Sequence, residues 1–263
     1  MSEVQGRSSG AMTPERRFGI AISVALILGG AYWALTNLTE EAKATQGSYP
    51  VQGTSLTVVS KSSDVEVVAG DVREIKVERK FKKTVFGSNP KESYRDGKLE
   101  VKSSGCTFMS LGCSTDYLIT VPKDLKVSVD NTSGTVKVSD VAEVGKLKTT
   151  SGDIEVHGVG GGEITLDATS GDIEGGALTA KKVHSKTTSG KVELTFAAAP
   201  DEVQAQGTSG DVTVLVPEGV ETYKVDADTS SGDERTELRT DPAATRTITA
   251  KTSSGDVTVE YAN

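Results

Sequence analysis

The chain has 263 residues but only two cysteines, two histidines, one tryptophan and seven prolines, and aromatic side chains make up 5 % of it. Two Cys and two His leave little for a zinc site or a Cys–His catalytic pair. The scarcity of aromatics argues against a cleft that stacks sugars. Positive charge is in deficit: 29 Lys and Arg stand against 37 Asp and Glu, for a net charge of −8. A nucleic-acid binder shows a basic face, so the balance argues against nucleic acid as a partner. No nucleophile signature accompanies His157 or His184, and each falls near a strand-like segment. Charged residues at 25 %, with regular apolar spacing, argue against wholesale disorder.

Only one apolar run is long. Phe18 to Leu35 is eighteen residues without a charge, long enough to span a bilayer with slight tilt. Arg16 and Arg17 precede it; Glu40 and Glu41 follow it. Lys and Arg favour the cytoplasmic side, so the N-terminus is expected inside and the bulk of the chain outside. Tyr32 and Trp33 fall near the outer end, where amphipathic rings favour the headgroup level. The expected order is a disordered cytoplasmic tail at 1–17, a single transmembrane helix at 18–38 and a linker at 39–50. The rival reading is a cleaved signal peptide, with Ala42-Lys43-Ala44 as the small-x-small site. The run exceeds a usual h-region of roughly 7–15 residues, which favours a retained anchor.

The rest of the chain reads as β. Residues 51–124 contain short period-2 segments such as Leu56-Thr-Val58, Val65-Glu-Val67, Ile75-Lys-Val77, Leu99-Glu-Val101 and Tyr117-Leu-Ile-Thr-Val121. Each is bounded by Gly, Asp, Ser or Pro. The polar, basic stretch Phe81 to Gly97 reads as a long hairpin connection. Cys106 and Cys113 flank a short turn between two strands, which brings their Cα atoms within disulfide range across a hairpin mouth. Outside the membrane that bond would persist.

Residues 125–263 repeat. The element is Thr-Ser-Gly, usually followed by Asp and an apolar-x-apolar strand, and its glycines are Gly134, Gly152, Gly171, Gly190, Gly210, Gly232 and Gly255. A period near twenty marks a repeat architecture whose units bury their apolar faces by stacking. One strand-sized run ends at each marker, as in Ile164-Thr-Leu166, and another begins after it, as in Val192-Glu-Leu194. Ser-Gly-Asp supplies the corner, because Gly takes positive φ and Ser and Asp bond nearby backbone. The expected fold is all-β: a β-solenoid of about seven such coils, with two or three strands per coil. Glu234 to Leu238 breaks the apolar pattern, and the chain closes on Val257 to Tyr261, an apparent edge strand beside Glu260 and Lys251.

The repeated Thr-Ser-Gly-Asp-apolar-x-apolar element, behind one apolar anchor and a Cys-containing hairpin, resembles a bacterial extracytoplasmic family known as putative adhesin. That family is a β-strand-repeat domain of unknown function. The likeness covers about Val51 to Tyr261, and Leu118-Ile-Thr-Val-Pro122 after the Cys hairpin is similar to actinobacterial members. The resemblance implies a solenoid-like fold and a cell-surface location, with no established chemistry. Thr135 and Lys191 stand where the pattern has Asp.

Stacked coils would align Asp153, Asp172, Asp211, Asp233 and Asp256 about 4.8 Å apart. Two readings fit: Ca²⁺ bound by carboxylate oxygens, or Asp as turn chemistry with no cofactor. Thr132, Thr150, Thr169, Thr188 and Thr208, continued by Ser230 and Ser253, would form a second ladder. Residues 72–102 carry ten Lys/Arg against five Asp/Glu, and include Arg73, Lys76, Arg79, Lys80, Lys82 and Lys83. That block is expected to contact an anionic surface near the membrane. The expected function is a membrane-anchored, non-catalytic surface module for a cell-surface or envelope ligand. The alternatives are a polysaccharide-active β-helix enzyme and a partner of an envelope-stress sensor.

Overall fold

The computed structural model describes residues 40–83, 91–102 and 114–262. The apolar run at 18–35 with Arg16, Arg17, Tyr32 and Trp33, and the Cys106/Cys113 pair, lie outside them. Among the described residues all regular structure is β, and no helix is long and apolar enough to cross a membrane.

The strands before the repeats are β1 (Glu40–Pro50), β2 (Ser55–Ser62), β3 (Asp64–Gly70), β4 (Glu74–Lys83), β5 (Lys91–Arg95), β6 (Lys98–Lys102) and β7 (Ser114–Pro122). The next are β8 (Lys126–Ser133), β9 (Val136–Ser139), β10 (Val144–Ser151), β11 (Ile154–His157), β12 (Glu163–Ser170), β13 (Ile173–Leu178) and β14 (Lys182–Lys186). The last are β15 (Val192–Phe196), β16 (Glu202–Gln206), β17 (Val212–Val216), β18 (Tyr223–Thr229), β19 (Glu234–Glu237), β20 (Arg246–Thr252) and β21 (Val257–Tyr261).

From β8 onward, consecutive strands alternate between two sheets, so each turn of the solenoid holds two strands, one per sheet. Sheet A has the order β1-β4-β7-β3-β9-β11-β13-β15-β17-β21-β19, and sheet B the order β18-β20-β16-β14-β12-β10-β8-β2-β6-β5. Pairing is parallel along the stack and antiparallel where β4 meets β1 and β7, and where β5 meets β6. Alternation of apolar and polar residues puts Val65, Val136, Ile154, Ile173, Val192, Val212 and Val257 in one buried column of sheet A. In sheet B the register Leu147, Leu166, Ser185, Ala205, Ala250 forms another. Most of these are wholly buried, so the core is a continuous slab between the sheets.

Four expectations need correction. Residues 39–50 do not form a linker: from Glu40 onward they are β1, which covers the edge of β4 and sets Tyr49 against Tyr94 with ring centroids 5.2 Å apart. The boundary at 124/125 is no break in the fold, since β2 and β3 pair in register with β8 and β9. The stretch Phe81 to Gly97 is no hairpin: Phe81–Lys83 complete β4 in sheet A, whereas β5 lies in sheet B. The hairpin is β5–β6, turned by Asp96 and Gly97 with φ of 51° and 72°, the positive pair that a two-residue turn between twisted strands requires.

The fourth correction concerns the C-terminus. Val257–Tyr261 is not an edge strand: β21 lies between β17 and β19, and β20 lies between β16 and β18. The last turn in sequence is therefore tucked beneath the one before it. Val257 and Val259 are wholly buried, whereas their register partners Glu234 and Thr236 in β19 are exposed. An apolar strand gains from two neighbours. A strand with Glu at an inward position is tolerated only at the end of the stack. The N-terminal end repeats the device, with the β6–β7 turn placed outside the β2–β3 turn.

Candidate binding faces and the corner ladder

The marker glycines stack directly on one another, in the spatial order Gly134, Gly152, Gly171, Gly190, Gly210, Gly255, Gly232. The first six each donate an N–H to the serine carbonyl of the next turn, among them Gly134 to Ser151, Gly171 to Ser189, Gly210 to Ser254 and Gly255 to Ser231, at 2.8–2.9 Å. A Cβ at Gly171, where φ is +148°, would sit 2.0 Å from the Gly152 carbonyl oxygen. No side chain fits there.

The aspartates have a defined role in this corner. The Oδ1 of Asp153 accepts the N–H of Asp172, Asp172 that of Lys191, Asp211 that of Asp256 and Asp256 that of Asp233, each at 2.9 Å. Among the described residues no group of three or more His, Cys, Asp or Glu gathers as a metal cluster. At the gap in the pattern, Lys191 instead reaches Glu174 at 2.7 Å and Glu193 at 3.7 Å.

Sequence reasoning missed one copy of the corner. Ser63 donates to the Ser133 carbonyl, Val65 to the Thr135 carbonyl, and Asp64 Oδ1 accepts the Thr135 N–H at 2.9 Å. Those bonds are the ones the Gly-containing corners make. The signal was Ser62-Ser63-Asp64-Val65-Glu-Val67, the marker with Ser in the glycine position.

The expected threonine ladder is exposed, from Thr132 to Ser253. A second polar column, one residue earlier, is buried and was not foreseen: Asn131, Thr149, Thr187 and Thr252. Thr187 donates to the Gly171 carbonyl at 3.0 Å and Thr252 to the Gly210 carbonyl at 2.9 Å. Thr187 and Thr252 thereby tie their strand ends to the corner of the neighbouring turn, whereas the Thr149 hydroxyl is buried without a hydrogen-bond partner.

The outer face of sheet A carries a row of charged residues in register. Glu66, Lys137, Glu155, Glu174 and Glu193 occupy adjacent strands, at about 4.8 Å per step. Lys137 bonds Glu155 at 2.7 Å, and that bond raises the Lys137 pKa; Lys191 is raised in the same way by Glu174. Two shallow depressions interrupt the row. One, of about 460 Å³, lies among Glu66, Glu78, Asp116, Leu118 and Lys137. The other, of about 390 Å³, has Gly175 and Gly176 in its floor and His157, Glu174 and Thr195 on its walls. A register shift in β13 between Gly175 and Leu178 creates the second. A Cβ on Gly176 would come within 3.0 Å of the His157 ring.

His184 lies in sheet B, 3.8 Å from Glu163, so the two histidines are on different sheets. Phe196 and Tyr223 are buried in the core, and Tyr261 donates no platform either, since its hydroxyl accepts the Arg239 N–H at 3.1 Å. The repeat faces thus offer carboxylates bound to lysines but no aromatic floor of the kind a sugar cleft uses.

The basic block divides. Arg73, Lys76 and Lys80 are exposed. Arg79 turns inward and pairs with Glu92 at 2.9 Å, so it belongs to the end of the core and leaves the exposed set. Lys82 and Lys83 continue β4. Burial, then a hydrogen bond to Glu92, pushes the Tyr49 pKa up to about 12; burial first also takes Tyr117 to about 12.

Comparison with known proteins returns one family and several structures. The Toastrack DUF4097 family model matches residues 53–174 and again 123–260. No curated protein matches the chain. Similar solved structures include a putative adhesin of Bacteroides fragilis, at 13 % identity over 82 % of this chain and 97 % of that one, with a TM-score of 0.46. Others are a putative adhesin of Parabacteroides merdae, at 13 % over 84 % and 97 % with 0.41, and a putative cell adhesion protein of Clostridium sporogenes, at 12 % over 84 % and 100 % with 0.37. The two overlapping family matches cover the stack from its first turn to its last. On that ground the chain belongs to the Toastrack DUF4097 family.

Proposed function

We propose that the chain is a membrane-anchored, extracytoplasmic surface module that binds rather than catalyses, with Phe18 to Leu35 as its anchor and the outer face of sheet A as its binding face. The observation that carries this reading is the row Lys137, Glu155, Glu174, Glu193, repeated in register by a backbone-locked stack. Such a row is a rigid, periodic surface, suited to a partner that repeats, such as an envelope polysaccharide. The carboxylates are already neutralised by Lys137 and Lys191, which fits polar surface contact better than general acid–base work.

The test uses the full chain in membranes. Carbonate extraction should leave it in the pellet, and protease added from outside should reach the solenoid. On an array of bacterial envelope polysaccharides it should bind without releasing reducing ends, and Glu174→Lys should abolish the binding. Release of reducing ends would replace this reading with the polysaccharide-active one. Extraction by carbonate would remove the anchor.

A further inference from the structure

The two ends of the stack carry opposite charge. Residues 72–102, which supply β4, β5 and β6 at one end, have a net charge of +5. Residues 201–263, which supply β16 to β21 at the other, carry five basic and thirteen acidic side chains, a net charge of −8. The separation from β1 to β19 is roughly 50 Å at about 4.8 Å per strand.

At the positive end, among the described strands, β5 is the edge of sheet B and pairs with β6 alone. Their register sets Lys91 opposite Lys102 and Arg95 opposite Lys98, with Ser93 opposite Glu100. Like charges directly opposite one another destabilise an antiparallel pair. Lys98 reaches Glu100 at 2.9 Å, and Lys91, Arg95 and Lys98 are exposed. A depression of about 430 Å³ opens beside them, lined by Tyr94, Arg95 and Lys98 among others. Two cation–cation pairs on one edge hairpin are the pattern that an anionic surface relieves.

The same end is where the chain enters the fold. The β1–β4 register sets Ala44 beside Lys80 and Glu40 beside Lys83. Only Thr36 to Thr39 separate Leu35 from Glu40, and four extended residues reach about 14 Å. That reach is between one and two Debye lengths of about 8–10 Å.

We propose that the basic end of the solenoid docks on the anionic phospholipid headgroups of the membrane that holds its anchor, standing the stack with its acidic end outward. The proposal rests on the anchor reading of Phe18 to Leu35. The short tether selects the membrane over a soluble polyanion, because it keeps this end, and not the acidic one, at the headgroups. Anionic headgroups attract Lys91, Arg95, Lys98 and Lys80 within a Debye length, and would repel the acidic end if it approached them instead.

The experiment is hydrogen exchange on the full chain in nanodiscs of phosphatidylcholine, with and without phosphatidylglycerol. Amides of β5 should exchange several-fold more slowly on the anionic discs and return to the neutral-disc rate in high salt. Amides of β18 and β19, the edge at the other end, should not change. Lys91→Gln, Arg95→Gln, Lys98→Gln and Lys102→Gln together should remove the difference while melting stays near that of the parent. If that variant misfolds, the salt response of the parent decides. Equal β5 exchange on both discs, or equal protection of both ends, overturns the docking. Loss of the chain from neutral discs alone overturns the anchor and leaves the docking supported, provided that anionic discs retain the chain and salt releases it.

Discussion

The two ends of this solenoid solve the same problem differently. At the N-terminal end, antiparallel strands close the stack: β4 and β1 extend sheet A, β5 extends sheet B, and Arg79, Glu92, Tyr49 and Tyr117 fill the space between them. At the C-terminal end the stack stops. Val225 and Ala227 in β18 remain half-exposed, and every residue of β19 is exposed. One end is sealed by extra chain and a buried polar cluster, the other by changing the residues of the last turn from apolar to charged. The lesson is that a repeat protein need not end with its chain. The most apolar terminal turn is placed one step in, and the turn that can bear solvent is placed outside.

Several measurements would break or sharpen that contrast. The largest effect is expected from deleting residues 246–263. In a stack built in chain order only the last turn would be lost. Here, among the described strands, β18 pairs with β20 alone and β19 with β21 alone, apart from a bridge between Tyr223 and Thr240, so amide protection should vanish over Lys224–Glu237 as well. Protection retained there would refute the inserted order.

Next in size are the corner glycines. Gly171→Ala sets a Cβ against the Gly152 carbonyl in the middle of the stack, where neither neighbour can yield, and should cost about 3–5 kcal/mol in urea unfolding. Gly232→Ala meets the Gly255 carbonyl at a similar 2.1 Å, but the end turn is free to shift, so about 1–2 kcal/mol is expected. Equal losses would mean that the C-terminal end is as rigid as the middle.

Ion pairs should show the same asymmetry on a smaller scale. Arg79→Ala leaves the largely buried Glu92 carboxylate without its cation, with only the Tyr49 hydroxyl bonded to it, and should cost about 2–4 kcal/mol. Arg235→Ala, in a fully exposed pair with Glu237 at 3.0 Å, should leave the urea midpoint unchanged, because solvent screens the pair.

Alkaline pH should loosen the sealed end. Tyr49 and Tyr117 titrate near 12 in the fold and near 10 unfolded. The unfolded chain therefore releases these protons first as pH rises. Their contribution is whole below pH 10 and is lost as pH climbs toward 12. Tyr117→Phe should flatten the part of the melting-versus-pH curve in that window. The smallest effect belongs to Asp211→Asn, which keeps an oxygen for the Asp256 N–H. It should change stability by less than about 0.5 kcal/mol, and Ca²⁺ should not alter melting of either form.

Much of the regular architecture was readable in the residues. The period of Ser-Gly-Asp and the alternation around Ile154, Ile173, Val192 and Val212 are local patterns, and each turn of the stack obeys the same local rule. The corner at Ser62-Ser63-Asp64 carries no glycine, so the glycine period does not reveal it, whereas its bonds depend on the backbone and on Asp64. The role of the Asp column as acceptor for the neighbouring turn was only half visible: turn chemistry was expected, but the partner N–H comes from a residue 19 or more positions away. Arg79 looked like one surface cation among many, and only its inward phase on β4 sets it apart.

By itself the sequence determined the repeat, which face of each strand is buried, and the glycine corner, because each depends on residues a few positions apart; two strands rather than three per turn came from the sheet topology. Tertiary structure alone decided the order of turns at both ends, the antiparallel closure by β1, β4 and β5, and the separation of a basic end from an acidic one. Those depend on which strand has one neighbour and which has two, and a strand's burial pattern acquires that meaning only when the whole stack is assembled.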